Sequence, residues 1–162
     1  MFLLLSTLLF APAQATEIGA GANLGLGVML GHPTGITGKY YLGGRTNAVD
    51  LAVASAPWGW RQGGGVYAHG VYLWHPSVLV SESDFEIPWH VGIGPVFWSG
   101  YWGPFDGPHG GEGAVGVRVP VGLDLDLRTA PVQIFLDVAL NFYVIPATFA
   151  DVGGAIGARY YF

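Results

Sequence analysis

The stretch VGVRVPVGLDLDL, residues 115–127, decides the fold class of this chain. Every second residue in it is Val or Leu, and the residues between them are Gly, Arg, Pro and Asp. A period of two places side chains alternately on the two faces of a β-strand. Residues 16–30 alternate in the same way, with Ile, Ala, Leu and Val on one parity and mainly glycine on the other. The sequence therefore predicts strands with one apolar face and one small or polar face.

The composition is unusual for a soluble domain. Of the 162 residues, 51% are hydrophobic and only 10% are charged, and 27 are glycine, whereas an ordinary domain carries about 25% charged residues. Past residue 15 no apolar run approaches the length of about 20 residues that a transmembrane helix needs. The net charge of -5, with six Lys and Arg in total, argues against nucleic acid as a partner. The sequence has no cysteine, which excludes disulfides and thiolate metal sites.

The chain divides into a leader and one domain. Residues 1–15, MFLLLSTLLFAPAQA, join an apolar run to Pro12 and to small residues at Ala13 and Ala15, which is typical of a cleaved secretory signal peptide. Residues 16–162 then form the domain. Its strand-like segments lie near residues 16–31, 35–43, 47–56, 65–75, 87–98, 113–126, 131–142 and 152–162. An even number of strands with mostly short connections predicts an all-β fold, a single antiparallel up-and-down β-barrel of about eight strands.

The two parities also predict which face points outward. A water-soluble barrel, such as a lipocalin, would need many Lys, Glu, Thr and Ser residues on its polar parity, and few are present here. Lipid around the apolar parity satisfies the pattern better, so the barrel is expected to be transmembrane. An eight-stranded barrel is just wide enough for side chains to fill it, so we expect a packed interior and no wide pore.

Six charged residues fall on the inward parity in the middle of strands. Because a lone buried ion is very costly, each needs a partner. We expect Arg118 and Arg159 to pair with Asp50, Asp137 or Glu17. A proton or ion path along the same residues is the alternative to this structural role. The predicted interior charge network is Glu17, Lys39, Asp50, Arg118, Asp137 and Arg159.

Aromatic residues gather towards the predicted strand ends and in the longer connections. At strand ends we expect interfacial girdles, and ordinary core packing is the alternative; this set is Tyr40, Tyr41, Tyr72, Trp74, Trp89, Trp98, Phe142, Tyr143, Tyr160 and Phe162. Aromatic residues in connections mark either a binding surface or rings that rest on lipid; this set is Trp58, Trp60, Tyr101, Trp102 and Phe105.

The closing segment GGAIGARYYF carries Gly157, Tyr160 and Phe162. It resembles the C-terminal signature of Gram-negative outer-membrane β-barrel proteins. Together with GLGVMLGHPTGITGKYYL and GVRVPVGLDL, it makes the chain similar to small, largely uncharacterised barrels akin to the transmembrane domains of outer-membrane proteins A and X. The resemblance implies a monomer in the bacterial outer membrane, surrounded by lipid and lipopolysaccharide. It also implies that the barrel-assembly machinery recognises the last strand, which closes the barrel beside the first.

The same resemblance places both termini in the periplasm, and the orientation of the connections follows. GHPTG, APWGWRQGGG, SGYWGPFDGPHGGEG and YVIPATFAD would then lie outside the cell. HPSVLVSESDFE, residues 75–86, would be a periplasmic connection, and an unusually long one.

Residue types that carry chemistry are sparse. The five histidines lack a zinc-type pairing such as H-E-x-x-H. His69 and His90 are expected to point inward on neighbouring strands, as hydrogen-bonded interior residues or, alternatively, as a metal or catalytic pair. Ser99 near His109 is the best pair for a lipid-modifying esterase, but no family motif surrounds it. The sequence thus predicts neither a cofactor nor a metal. It favours a barrel with a structural or surface-interaction role and no catalysis, and a narrow channel or a lipid-modifying enzyme is the alternative.

Overall fold

The computed structural model describes residues 22–55, 65–101 and 112–162. The predicted signal peptide and the residues Glu17, Trp58, Trp60, Trp102 and Phe105 lie outside these ranges. Within them the chain forms eight β-strands: β1 Leu24–His32, β2 Thr34–Tyr41, β3 Asn47–Ser55, β4 Val66–Ser81, β5 Phe85–Tyr101, β6 Glu112–Leu127, β7 Val132–Ile145 and β8 Phe149–Tyr161. No helix in the described ranges is long and apolar enough to cross a membrane.

The eight described strands close into a barrel. Each strand pairs antiparallel with the next one along the chain, and β8 pairs antiparallel with β1. In this last pairing Gly157 lies opposite Met29 and Tyr160 lies opposite Leu26. The predicted all-β, eight-stranded, up-and-down barrel is confirmed.

The two ends of the barrel differ in their connections. One end, called the turn end here, carries the connections 42–46, 82–84 and 128–131 together with the last residue, Phe162. At this end Arg128 ties two of the turns together, because its guanidinium pairs with the Glu86 carboxylate and donates to the Glu82 carbonyl oxygen at 2.6 Å. The opposite end is called the far end.

Strand β4 is longer than the sequence predicted. The segment 75–86 was expected to be a connection, but β4 continues to Ser81 and only residues 82–84 form the turn. The β4–β5 ladder shifts register between Trp74 and Ser77, and again between Val78 and Val80. Pro76 lies in the first shift, where the ladder does not need an N–H group from it. Proline and serine therefore looked like a loop in a segment that is an irregular strand.

The alternating residues divide between the two faces as predicted. Every second residue of the strands points outward, and these outward side chains are apolar and exposed: Leu24, Leu26, Val28, Leu30, Ile36, Leu51, Val53, Ile93, Val115, Val117, Val121, Leu123, Ile134, Leu136, Val138, Leu140, Val152 and Ile156. The opposite parity points inward and carries buried polar and charged side chains: Lys39, Asp50, His69, His75, Glu86, His90, Arg118, Asp124, Asp126, Gln133, Asp137, Asn141 and Arg159.

Two apolar clusters pack inside the barrel with the polar groups. The first lies near the turn end and consists of Tyr41, Ala48, Val71, Leu73 and Tyr161. The second extends towards the far end and consists of Met29, Ala52, Ala54, Tyr67, Val96, Trp98, Ala114, Phe135, Tyr143 and Ala155. Apolar and polar side chains therefore share the interior of the described strands.

Candidate functional site in the barrel interior

An ion pair crosses the centre of the barrel. The Lys39 ammonium nitrogen lies 2.6 Å from Oδ2 of Asp124, and both side chains are fully buried. Lys39 belongs to β2 and Asp124 to β6, so the two residues stand on opposite walls of the eight-stranded barrel. A contact of this length leaves no open passage between them.

Two histidines meet the same carboxylate oxygen. His75 Nε2 lies 3.3 Å from Asp124 Oδ2, and His90 Nδ1 lies 3.1 Å from it. The two imidazole rings are neighbours, with centroids 5.6 Å apart. Lys39, His75 and His90 therefore converge on one oxygen atom.

Each of these histidines has a second partner on its other ring nitrogen. His90 Nε2 lies 2.8 Å from Oδ1 of Asp137 on β7. His75 Nδ1 lies 3.3 Å from the backbone carbonyl oxygen of Thr46, in the turn before β3. We call His75, His90 and Asp124 the histidine–aspartate cluster. It is held by β4, β5 and β6, and Asp137 and Thr46 support it from outside.

A second network surrounds Arg159. Its guanidinium contacts Asp50 Oδ1 at 2.9 Å, and it also donates to Thr37 Oγ1 at 2.9 Å and to Gln133 Oε1 at 3.0 Å. Its flat face lies 3.8 Å from the centroid of the Phe135 ring. The expected pairing of Arg159 with Asp50 is therefore present, and it joins β8 to β3.

Arg118 lacks the expected pairing with Asp50 or Asp137, and Glu17, the third expected partner, lies outside the described residues. Its guanidinium donates to the Tyr67 hydroxyl at 3.0 Å and to Asn141 Oδ1 at 3.1 Å. Among the described residues no ion pair links Arg118 to Asp50 or Asp137. The register explains this: Arg118 lies opposite Asn141, whereas Asp137 lies opposite Gly122, nearer the turn end.

His69 and His90 both point inward and are buried, as expected, but the alternative of a pair between these two histidines was wrong. His69 pairs across the sheet with Val96, so His90 lies six positions farther along β5 towards the turn end. His69 Nε2 instead lies 3.6 Å from Oδ2 of Asp50, and the histidine beside His90 is His75.

Nine of the ten aromatic residues predicted for the girdles fall into two groups that the sequence did not separate, and the tenth, Trp89, is half-buried and donates its Nε1–H to Ser77 Oγ at 2.9 Å. Tyr40, Tyr72, Trp74, Phe142, Tyr160 and Phe162 point outward and are exposed. Three others of the predicted girdle point inward and are buried: Tyr41, Trp98 and Tyr143. These three pack with interior rings, for example Tyr143 stacked on Phe149 with centroids 4.5 Å apart. The girdle interpretation was wrong for them, because they lie on the inward parity.

The serine considered for an esterase is engaged in the sheet. Ser99 Oγ accepts a hydrogen bond from the backbone N–H of Val66 at 2.8 Å. Its proposed partner His109 lies outside the described residues. Within the described part of the chain, the His and carboxylate side chains that lie close enough together to hold a metal ion are those of His75, His90 and Asp124.

No protein-family model, no curated protein and no solved structure matches this chain.

Proposed function

We propose that this chain is an integral β-barrel protein of the bacterial outer membrane, with a filled interior and a structural or surface-interaction role. One observation carries the proposal: in the described strands the outward side chains are mainly apolar, whereas the polar and charged side chains of the strands are buried in the interior, beside two apolar clusters. Water-soluble barrels have the reverse arrangement, whereas transmembrane barrels have this one.

The height of the apolar surface supports lipid as the surroundings. On β7 the outward residues from Ile134 to Val144 are all apolar, and Val138 in the middle is 54% exposed. At about 3.3 Å per residue and a tilt of about 40°, this stretch rises roughly 25 Å along the barrel axis. The apolar band of outer-membrane barrels has about the same height.

An outward ring of aromatic residues at the turn end supports the same conclusion. Tyr40, Tyr72, Trp74, Tyr160 and Phe162 are each about half exposed or more. Tyrosine and tryptophan favour the boundary between lipid and water, where one edge of the ring is apolar and the other is wet. Beside them lies an outer groove of about 440 Å³, lined by Asn47, Tyr72, Trp74, Val91, Gly92 and Ile93. A lipid acyl chain is the occupant that this apolar groove fits in a membrane.

The orientation and biogenesis rest on the resemblance of the closing strand. β8 completes the barrel against β1, and the Phe162 N–H donates to the Leu24 carbonyl oxygen at 2.8 Å. Gly157, Tyr160 and Phe162 form the part of the strand that outer-membrane assembly machinery reads in the resembled family. We therefore place the turn end in the periplasm, with both termini, and the far end towards the cell exterior and its lipopolysaccharide.

The filled interior favours a role that needs no passage through the barrel. The Lys39–Asp124 contact crosses the lumen, and the Arg159 network fills the space beside it. We therefore propose neither a channel nor a reaction as the main role. A surface interaction would use the connections at the far end, where Trp58, Trp60, Trp102 and Phe105 occur in the sequence. Tyr101, which was predicted with them, is the last residue of β5.

The test is the electrophoretic mobility of the protein in the outer-membrane fraction, with and without boiling in SDS. We expect a band that shifts on boiling, because a closed barrel with every strand paired resists the detergent until it is heated. An unshifted band in the soluble periplasmic fraction would contradict the proposal and would indicate that water, and no lipid, surrounds the barrel.

A further inference from the structure

The two oxygen atoms of the Asp124 carboxylate differ in their contacts. Its Oδ2 faces three nitrogen atoms, at 2.6 Å from Lys39, 3.1 Å from His90 and 3.3 Å from His75. Its Oδ1 is buried and has no hydrogen-bond partner among the described residues. A buried carboxylate oxygen without a hydrogen-bond partner is unusual, because buried polar atoms are generally paired.

The outer contacts of the two histidines decide where their protons lie. The Thr46 carbonyl oxygen and the Asp137 carboxylate can only accept, so His75 Nδ1 and His90 Nε2 each carry a hydrogen to bond them. In the neutral form of each ring, the remaining nitrogen then presents a lone pair. Both lone pairs, on His75 Nε2 and His90 Nδ1, point towards an anionic oxygen. For neutral rings, a cation between these three atoms replaces two repulsive contacts by three bonds, whereas for protonated rings the same contacts are hydrogen bonds to Asp124.

The local charge also calls for a cation. Asp124, Asp126 and Asp137 are all buried on β6 and β7. In the described part of the chain, one permanent cation, Lys39, forms an ion pair with one of these three aspartates, Asp124. Buried carboxylates therefore outnumber the permanent cations that pair with them in this part of the barrel.

We propose that His75 Nε2, His90 Nδ1 and Asp124 Oδ2 form a binding site for one divalent transition-metal ion of the zinc class. These three ligand atoms lie within 4.8 Å of one another. Tetrahedral zinc with bonds of about 2.0–2.2 Å places neighbouring ligand atoms roughly 3.3 Å apart, close to the observed 3.1 Å and 3.3 Å. Two imidazoles and one carboxylate suit zinc, iron, cobalt or nickel better than magnesium or calcium.

The second ring nitrogen of each histidine has the type of hydrogen-bond partner that is found at known metal centres. A ligating histidine usually donates its other N–H to a carboxylate or a backbone carbonyl, which fixes the ring and its tautomer. His90 has the carboxylate of Asp137, and His75 has the carbonyl of Thr46. The site goes beyond the proposed membrane role, and it departs from the sequence-based expectation that the barrel holds no metal.

The experiment is to refold the purified barrel in detergent micelles with Co²⁺ present, because the site is closed to ions once the barrel has formed. After removal of free metal, we expect one Co²⁺ per folded chain, with the visible absorption bands of a nitrogen- and oxygen-ligated ion. His75→Gln and His90→Gln should each weaken binding at least tenfold. Asp137→Asn should weaken it about tenfold or more as a supporting residue.

The controls separate this site from other histidines. His69→Gln removes a buried histidine that faces Asp50, and the double variant His32→Gln/His109→Gln removes two more; both should bind as the unaltered chain does. A folded chain without bound Co²⁺, or equal loss in His69→Gln, would overturn the proposal. Should a cluster variant fail to fold, X-ray absorption of the zinc-loaded unaltered chain decides: two imidazole ligands support the site, and none refutes it.

Discussion

At the scale of single residues, the interior depends on matched charges. Lys39→Met removes the cation that lies 2.6 Å from Asp124 and leaves the carboxylate fully buried. Breaking a buried ion pair from one side costs about 3–5 kcal/mol, because the remaining charge has lost its compensation. We therefore expect the free energy of unfolding of Lys39→Met to fall by about this amount. Urea titration of the refolded barrel in EDTA, followed by tryptophan fluorescence, measures it.

The double variant Lys39→Met/Asp124→Leu is the matched control for this prediction. It removes both charges, and replacing a buried ion pair by apolar residues is often nearly neutral. The double variant should therefore be more stable than Lys39→Met alone. An equal fall in the free energy of unfolding of both variants would show that packing of the Lys39 side chain, rather than its ion pair, accounts for the effect.

The sequence predicted the position of the interior charges better than their partners. Alternation placed Lys39, Asp50 and Arg159 on the inward parity, and the structure has them there. It could not predict that Lys39 reaches Asp124, because that contact joins β2 to β6 and depends on the closure of the whole barrel. Asp124 itself was visible on the polar parity of residues 115–127, and matching that parity to Lys39 was the signal available.

At the scale of the strands, β8 closes the barrel through a position that has no room for a side chain. A Cβ at Gly157 would collide with the Val28 carbonyl oxygen and with the Phe135 ring. That ring supports the Arg159 guanidinium at 3.8 Å, so it cannot move freely. Gly157→Ala should therefore destabilise the barrel by about 1–3 kcal/mol, the usual cost of overpacking. The fraction of heat-shifted protein after refolding reports the loss.

Ala158→Val provides the control for Gly157→Ala. Ala158 is next along β8 and points outward, where it is exposed. A larger side chain there meets no packed neighbour, so refolding should proceed as for the unaltered chain. If both variants refolded equally well, the close approach at Gly157 would not limit closure.

The metal ligands show why local sequence could not predict a site built by strands. His75, His90 and Asp124 come from three different strands, so no short spacing such as H-E-x-x-H links them. His75 was also placed in a connection, since the Pro76 and Ser77 that follow it are typical of turns. His75 instead continues the inward parity of Val71 and Leu73, because β4 runs on past the predicted end of the strand. Strand pairing sets the geometry.

At the scale of the whole molecule, the environment of the outer surface decides whether an added charge is tolerated. Val138 lies halfway along β7 and is 54% exposed on the apolar outer face. In a bilayer, Val138→Arg places a cation near the midplane, which costs about 2–4 kcal/mol in transmembrane barrels. We expect that loss in the free energy of folding into lipid vesicles, measured by denaturant titration. Thr129→Arg, in the exposed β6–β7 turn, should change this free energy little, since that position lies outside the apolar band.

A soluble barrel would tolerate both changes equally, because Arg at either position would face water. Equal stability of the two variants in vesicles would therefore contradict the membrane proposal, whereas a selective loss in Val138→Arg supports lipid as the solvent of this face.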